Sequence, residues 1–139
     1  MKKVFALLSA LAVALVVSAC TNLVDKDADM EKVTGNVAYR ERIALPENAR
    51  ITVTLSDVSK MDVAAEVISR HSFLAEGKQV PFAYSLNFVR DEIKPNHTYA
   101  VSARIEIGDK LVFITDTANP VITDPNQTLV KDLMLVKVQ

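Results

Sequence analysis

Three stretches of the chain alternate apolar and polar residues with a period of two. They cover residues 50–56, 80–88 and 99–107, and in each the apolar set is drawn from Ile, Val, Leu, Ala, Phe and Tyr. Successive side chains of a β-strand point to opposite faces, so this period is typical of a strand with one buried and one solvated face. The pattern predicts three half-buried antiparallel strands.

A two-residue turn follows the third of these strands. Gly108-Asp109 supplies the positive φ that a tight hairpin needs and joins 99–107 to a strand over 111–115. A simple two-residue loop would set Ile105 opposite Val112. The second strand then carries apolar residues on both faces, which predicts that it is central in the sheet or covered by a loop.

The rest of the chain supplies further strands. Residues 33–39 and 129–138 are predicted as the first and last strands, and the five prolines lie at or near strand ends and loops. Residues 62–74 fit two patterns: Asp62 could cap a helix, but Val63, Ala65 and Val67 begin a period of two that also fits a strand. The strand is favoured because every neighbouring segment is one.

The spacing of about ten residues between strands favours an all-β fold. We expect a single small antiparallel β-sandwich of about seven strands over residues 33–139, with immunoglobulin-like or transthyretin-like topology, and a closed barrel is the alternative. A chain of this length is enough for one domain with a real core. No internal repeat or low-complexity segment interrupts it.

The first twenty residues have the order of a secretory signal peptide. Lys2 and Lys3 precede an uncharged apolar run over 4–19, which is short for a bilayer span of roughly 20 residues. The run ends in Val17-Ser18-Ala19-Cys20, which resembles the bacterial lipobox. The resemblance implies cleavage after residue 19, a diacylglyceryl group on the sulfur of Cys20 and an acyl group on its new amino terminus.

Cys20 is the only cysteine in the chain, so lipidation has few competing explanations. Each buried methylene contributes about 0.8 kcal/mol, and two or three acyl chains hold a protein to a membrane almost permanently. Residues 20–32 are mostly polar and charged and are interpreted as a flexible tether after the lipidated cysteine. Thr21 is not the aspartate typical of inner-membrane retention, so we expect an outer-membrane protein facing the periplasm.

Charge and composition limit the classes of binding partner that the protein can have. Loss of Lys2 and Lys3 with the signal peptide lowers the formal net charge from −1 to −3, which gives no footprint for nucleic acid. We expect a membrane partner through the lipid anchor and an envelope protein as a second partner. No cofactor is expected apart from the covalent lipid on Cys20, no metal motif is present, and the sequence indicates no oligomeric state.

No catalytic residue stands out. His97 lies in a turn before a strand and is interpreted as bonding to backbone, while Asp116 and Asp57 are placed to cap turns. Three arginines, Arg40, Arg42 and Arg50, form a possible interaction surface on an edge strand; charges in such a place more often discourage edge-to-edge aggregation. A small hydrolase or sugar-binding site would need His97 and Asp116 to converge.

Five segments together resemble one known family. They are Gly35-Asn36-Val37-Ala38-Tyr39-Arg40-Glu41-Arg42-Ile43-Ala44-Leu45-Pro46, Thr52-Val53-Thr54-Leu55-Ser56-Asp57-Val58-Ser59, Val80-Pro81-Phe82, His97-Thr98-Tyr99-Ala100-Val101-Ser102-Ala103-Arg104-Ile105 and Thr115-Asp116-Thr117. In this order they resemble the YbaY family of lipoproteins, grouped with the YscW-like lipoproteins of type III secretion, pilotins that escort a secretin ring to the outer membrane. The resemblance implies a β-sandwich lipoprotein without enzymatic activity, and no functional residue is carried over from it.

The sequence therefore favours a non-enzymatic binding or chaperone module, pilotin-like, at the bacterial outer membrane. Such a module would offer a free strand edge or loop surface to an envelope partner. The alternatives are a structural lipoprotein that contributes to envelope integrity and a small carbohydrate-binding or hydrolytic periplasmic protein.

Overall fold

The computed structural model describes residues 29–60 and 63–138, so the whole predicted signal peptide, Cys20 and residues 21–28 of the predicted tether lie outside the described part. Residues 30–32, predicted as the end of the tether, belong to the first strand. Within it, eight strands follow one another: β1 (Met30–Tyr39), β2 (Ala49–Asp57), β3 (Glu66–Leu74), β4 (Phe82–Val89), β5 (Tyr99–Ile107), β6 (Lys110–Ile114), β7 (Pro120–Val121) and β8 (Leu133–Lys137). A single 3-10 turn, Arg90–Glu92, follows β4. The all-β prediction is confirmed. No helix in these residues is long and apolar enough to cross a membrane.

The strands form one sheet in the order β3-β2-β5-β6-β8-β1-β4, with the short β7 paired to β5. Most neighbours are antiparallel, but β1 and β8 run parallel, with Val37 opposite Leu133. The sheet curls around one apolar interior until its two outer strands, β3 and β4, face each other. The fold therefore lies between the expected sandwich and the closed barrel.

The three alternating segments form β2, β4 and β5, as predicted. In β4, Phe82, Tyr84, Leu86 and Phe88 are buried, and the residues between them are exposed. Burying such side chains contributes about 1.5–3 kcal/mol each. The inward rows of β2, β4 and β5 thus make up much of the core.

The Gly108-Asp109 hairpin forms, and Gly108 has the expected positive φ of 61°. The predicted pairing of Ile105 with Val112 is wrong, because a β-bulge next to Ile105 shifts the register by one residue and sets Phe113 opposite it. The shift turns Phe113 fully into the core, where its ring stacks on Tyr39 with centroids 4.3 Å apart. As expected, β6 is central, between β5 and β8.

Residues 62–74, which fitted both a helix and a strand, contain strand β3. The favoured strand interpretation is therefore confirmed over 66–74. Its predicted apolar face is only partly right, because Val63 and Val67 are 63% and 47% exposed. Leu55 and Ser56 of β2 pair with Ser69 and Val67, so Ile68 is an extra residue in β3, and this bulge changes which side of β3 faces inward beyond that point.

Candidate functional site

Strands β3 and β4, the two outer strands of the sheet, face each other along a line that we call the seam. Neither β3 nor β4 has a second strand neighbour in the described sheet. Side chains connect them instead: the rings of Phe73 and Phe82 lie with centroids 5.9 Å apart, and the backbone N–H of Ser85 donates to Nδ1 of His71 at 3.2 Å. The seam therefore holds two strand edges with unpaired backbone groups close together.

His71 acts as the polar bridge of the seam. The Ser85 N–H is the donor, so Nδ1 of His71 is the acceptor of this bond. The ring also packs against Phe73, with centroids 5.0 Å apart. His71 is thus a partly exposed side chain with a hydrogen-bond partner.

A cavity of about 780 Å³ opens along the half of the seam that contains Leu74 and Phe82. Its apolar wall comes from Phe73, Phe82 and Leu74, and Glu76 and Lys78 provide a charged rim. Leu74 is 40% exposed at the end of the β3 edge. An apolar groove with a few polar groups beside two open strand edges suits an extended peptide, which can pair its main chain with an edge and place alternate side chains in the groove.

One side of this cavity is fixed by a glutamine that holds two loops together. The side-chain Oε1 of Gln79 accepts from the Leu45 N–H at 2.7 Å, and its Nε2 donates to the Leu45 carbonyl at 3.1 Å. Leu45 itself is buried. The loop after β1 is thereby locked to the connection between β3 and β4, so the groove has one rigid wall.

A second polar cluster lies at the opposite end of the sheet. Nδ1 of His97 lies 2.6 Å from Oδ2 of Asp57, and the hydroxyl and N–H of Ser59 donate to Oδ1 of the same carboxylate at 2.5 and 3.0 Å. The hydrogen bonds from His97, and then those from Ser59, lower the pKa of Asp57 to about 2. Asp57 caps its turn as expected, but His97 pairs with a carboxylate, so its expected backbone bonding is wrong for the ring.

This cluster borders a cavity of about 220 Å³ lined also by Lys60, Glu66 and Lys94. Asp57 orients the His97 ring, as an acid orients a general base, but the Ser59 hydroxyl bonds to the acid and not to the base. Asp116 lies on a different surface, beside Arg40 and β8. The structure therefore does not bring His97 and Asp116 into one site.

The predicted arginine surface is divided. Arg40 and Arg42 lie exposed at the end of β1, whereas Arg50 lies on β2 and donates to the Ser72 hydroxyl at 3.4 Å. Strands β1 and β2 are separated by three others and neither is an edge, so the edge-strand assignment is wrong. The seam residues Phe73 and Phe82 were seen only as strand positions, because the meeting of β3 and β4 depends on the full strand order.

The fold and the seam define a class of protein: a small all-β module with an open groove between two strand edges. Among the residues that the structure describes, no group of three or more His, Cys, Asp or Glu side chains could hold a metal ion.

Comparison with known proteins identifies the family within this class. The chain belongs to the family described as type III secretion system lipoprotein chaperone (YscW), whose model matches residues 28–135. It is 40% identical to the lipoprotein YbaY of Escherichia coli K12 over 94% of this chain and 77% of that protein. It also resembles the solved structure of an alternative pilotin from the type II secretion system of Vibrio cholerae, at 51% identity and a TM-score of 0.77 over 79% of this chain and 98% of that one.

Proposed function

We propose that this protein is a non-enzymatic, pilotin-like chaperone that is lipid-anchored at the periplasmic face of the outer membrane. Its seam holds an extended segment of an envelope protein partner. Membership of a lipoprotein chaperone family and similarity to a solved pilotin support the class of function. The observation that carries the proposal is the groove of about 780 Å³ beside two open strand edges.

The mode of binding follows from the edge geometry. An extended peptide that pairs with β3 satisfies the outward backbone groups of that strand and sets every second side chain against Phe73 and Phe82. The exposed apolar side chains of Leu74 and Val67 on β3 gain contacts in the same step. Binding therefore uses main-chain hydrogen bonds for affinity and the aromatic wall for selectivity.

Site-specific photo-crosslinking in intact cells tests the seam. A photoreactive residue replaces Leu74 at the seam or Met134 on the outer face of β8, two apolar positions with 40% and 47% exposure. We expect a discrete crosslinked partner from position 74 and none from position 134. Equal products from both positions, or products only from position 134, would contradict the seam as the binding site.

The anchor is tested separately at Cys20. Cys20→Ala should lose incorporation of labelled fatty acid and leave the membrane fraction, and partners that need correct tethering should disappear from crosslinks. If Cys20→Ala still fractionates with membranes and the wild type takes up no label, the anchor proposal is wrong.

Sorting is tested at the next residue. Thr21→Asp should move the lipidated protein from the outer-membrane to the inner-membrane density fraction, with Thr21→Ser as the matched control. A wild-type protein already found in the inner-membrane fraction would contradict the outer-membrane assignment while leaving the seam proposal intact.

A further inference from the structure

The outer wall of the sheet carries a polar depression away from the seam cavity. It has a volume of about 300 Å³ and lies over β3, β2, β5 and the end of β6. Two arginines and four hydroxyl side chains line it: Arg70, Arg104, Thr52, Thr54, Ser102 and Thr115. No Asp or Glu is among the residues that line it, although the chain as a whole is slightly acidic.

Strand register places the two arginines on opposite sides of the hydroxyls. Thr54 pairs with Arg70 on one neighbour and with Ser102 on the other, and Thr52 pairs with Arg104. Arg70 and Arg104 therefore lie two strands apart across the sheet and two residues apart along the strands. For ordinary strand spacing, their backbones are about 12 Å apart. Two extended arginine side chains can bridge that distance from both sides, so their guanidinium groups can converge above the hydroxyl floor.

The floor itself is oriented by internal hydrogen bonds. Thr52 lies on the outer face yet is only 6% exposed, and its hydroxyl lies 3.2 Å from that of Ser72. The Thr115 hydroxyl accepts the N–H of Ala103 at 3.3 Å, which leaves its own O–H able to donate outward. The hydroxyls of Thr52 and Thr115 are therefore held in place without a ligand.

The charge of the depression is positive. Nε of Arg104 lies 2.7 Å from Oε1 of Glu106, so this carboxylate offsets part of the Arg104 charge. Among the described residues, Arg70 has no carboxylate oxygen within 4 Å. Arg50, directly opposite Glu106, lies on the same outer wall. Three arginines and one glutamate therefore face the same solvent region.

We propose that this depression binds a phosphate group. A carboxylate has two oxygens and one charge, which a single bidentate arginine satisfies, whereas a phosphate has three or more oxygens and up to two charges. Two guanidinium groups on opposite sides and a floor of hydroxyl donors match the larger anion. The phosphate can belong to a soluble phosphorylated molecule or to a lipid headgroup, and the chemistry of recognition is the same for both.

NMR titration of the isotopically labelled full chain in detergent micelles tests the site. Inorganic phosphate is added at constant ionic strength, and we expect saturable shifts of the backbone amides of Thr52, Thr54 and Ser102. Arg70→Gln and Arg104→Gln should each weaken binding about tenfold, because each removes one charge-assisted pair. The matched controls are the single changes Arg40→Gln and Arg42→Gln, each of which removes one positive charge from an exposed residue elsewhere.

Two further kinds of ligand are tested. One distinguishes a lipid headgroup from a soluble phosphorylated molecule, and the other distinguishes phosphate from a carboxylate. Competition by dihexanoyl-phosphatidylglycerol assigns the phosphate to a headgroup, and binding of inorganic phosphate without such competition assigns it to a soluble molecule; both outcomes support the site. Tighter binding of succinate or a glutamate-rich peptide than of phosphate would overturn the phosphate assignment. Absence of saturable shifts would overturn the site itself. So would an equal weakening of phosphate binding by Arg40→Gln or Arg42→Gln.

Discussion

Replacing Gly35 by alanine should destabilise the fold more than any ordinary change at an exposed strand position. A Cβ built on Gly35 would overlap the Lys131 carbonyl oxygen and lie 2.6 Å from its carbon, and it would lie 3.0 Å from a ring carbon of Tyr84. The chain cannot move away easily, because the Lys131 N–H donates to the Thr34 carbonyl at 2.8 Å. The Tyr84 hydroxyl also donates to the Lys131 carbonyl.

The magnitude follows from what has to give way. Ordinary carbon contacts are about 3.5–4.0 Å, so the two backbone segments must separate by about 1 Å. Overpacking of this kind costs about 1–3 kcal/mol, and loss of the hydrogen bond from the buried Tyr84 adds about 1–3 kcal/mol. Burial raises the pKa of Tyr84 to about 12, so the hydroxyl is a donor at neutral pH. The change from glycine to alanine also stabilises the protein by up to about 1 kcal/mol, because alanine restricts the unfolded chain. The expected net loss is about 3 kcal/mol.

Urea unfolding followed by far-UV circular dichroism measures this loss, and thermal unfolding should show a fall of about 10 °C or more in Tm. Tyr84→Phe is the matched variant, because it removes the hydroxyl and leaves Gly35 unchanged; it should cost only about 1 kcal/mol. The two changes together should cost less than the sum of the single changes, since they share one contact. A loss below about 1 kcal/mol for Gly35→Ala would refute the reasoning, because it would show that the strands separate freely.

Three further outcomes follow from single contacts. Phe113→Ala should lower the free energy of unfolding by about 3–5 kcal/mol in urea titration, and more than Val112→Ala, because the β-bulge turns Phe113 into the core; equal losses would contradict the observed register. Asp57→Asn should cost about 1 kcal/mol at neutral pH. Because the pKa of Asp57 is lowered from 3.8 to about 2, this contribution is present above pH 4 and lost toward pH 2, where the two stabilities should converge; a gap independent of pH would contradict it. His71→Ala should speed hydrogen exchange at the Ser85 amide specifically, since His71 is its acceptor; unchanged protection would show that this bond does not close the seam.

Much of the sheet could be predicted because its strands carry local patterns. The alternations over β2, β4 and β5 and the Gly108-Asp109 turn depend only on residues close together in sequence. The β6 register could not be predicted in the same way. Whether Val112 or Phe113 points inward is decided by stacking on Tyr39, which is distant in sequence, and by a bulge that no local signal marks.

The candidate sites depend even more on distant contacts. Asp57 is predicted at the end of a strand and His97 in a turn before one, and both positions are correct, but their pairing requires β2 and β5 to be neighbours. Arg70 lay in the segment that fitted both helix and strand, so its position opposite Thr54 had no signal in the sequence. Period and turn chemistry therefore predict elements, whereas the sites arise where the strand order brings those elements together.

The composition of β3 explains why the sheet closes weakly at the seam. Its inward positions opposite Leu55 and Val53 are Ser69 and His71, whereas the inward positions of β4 are large and apolar. Ser69 and His71 add little apolar burial, so β3 packs on the core through the partly buried Ile68 and Phe73, and the His71 bridge and the Phe73–Phe82 contact connect it to β4. Under the proposed function, a partner segment that pairs with this edge gains main-chain hydrogen bonds and competes with only these few contacts between β3 and β4.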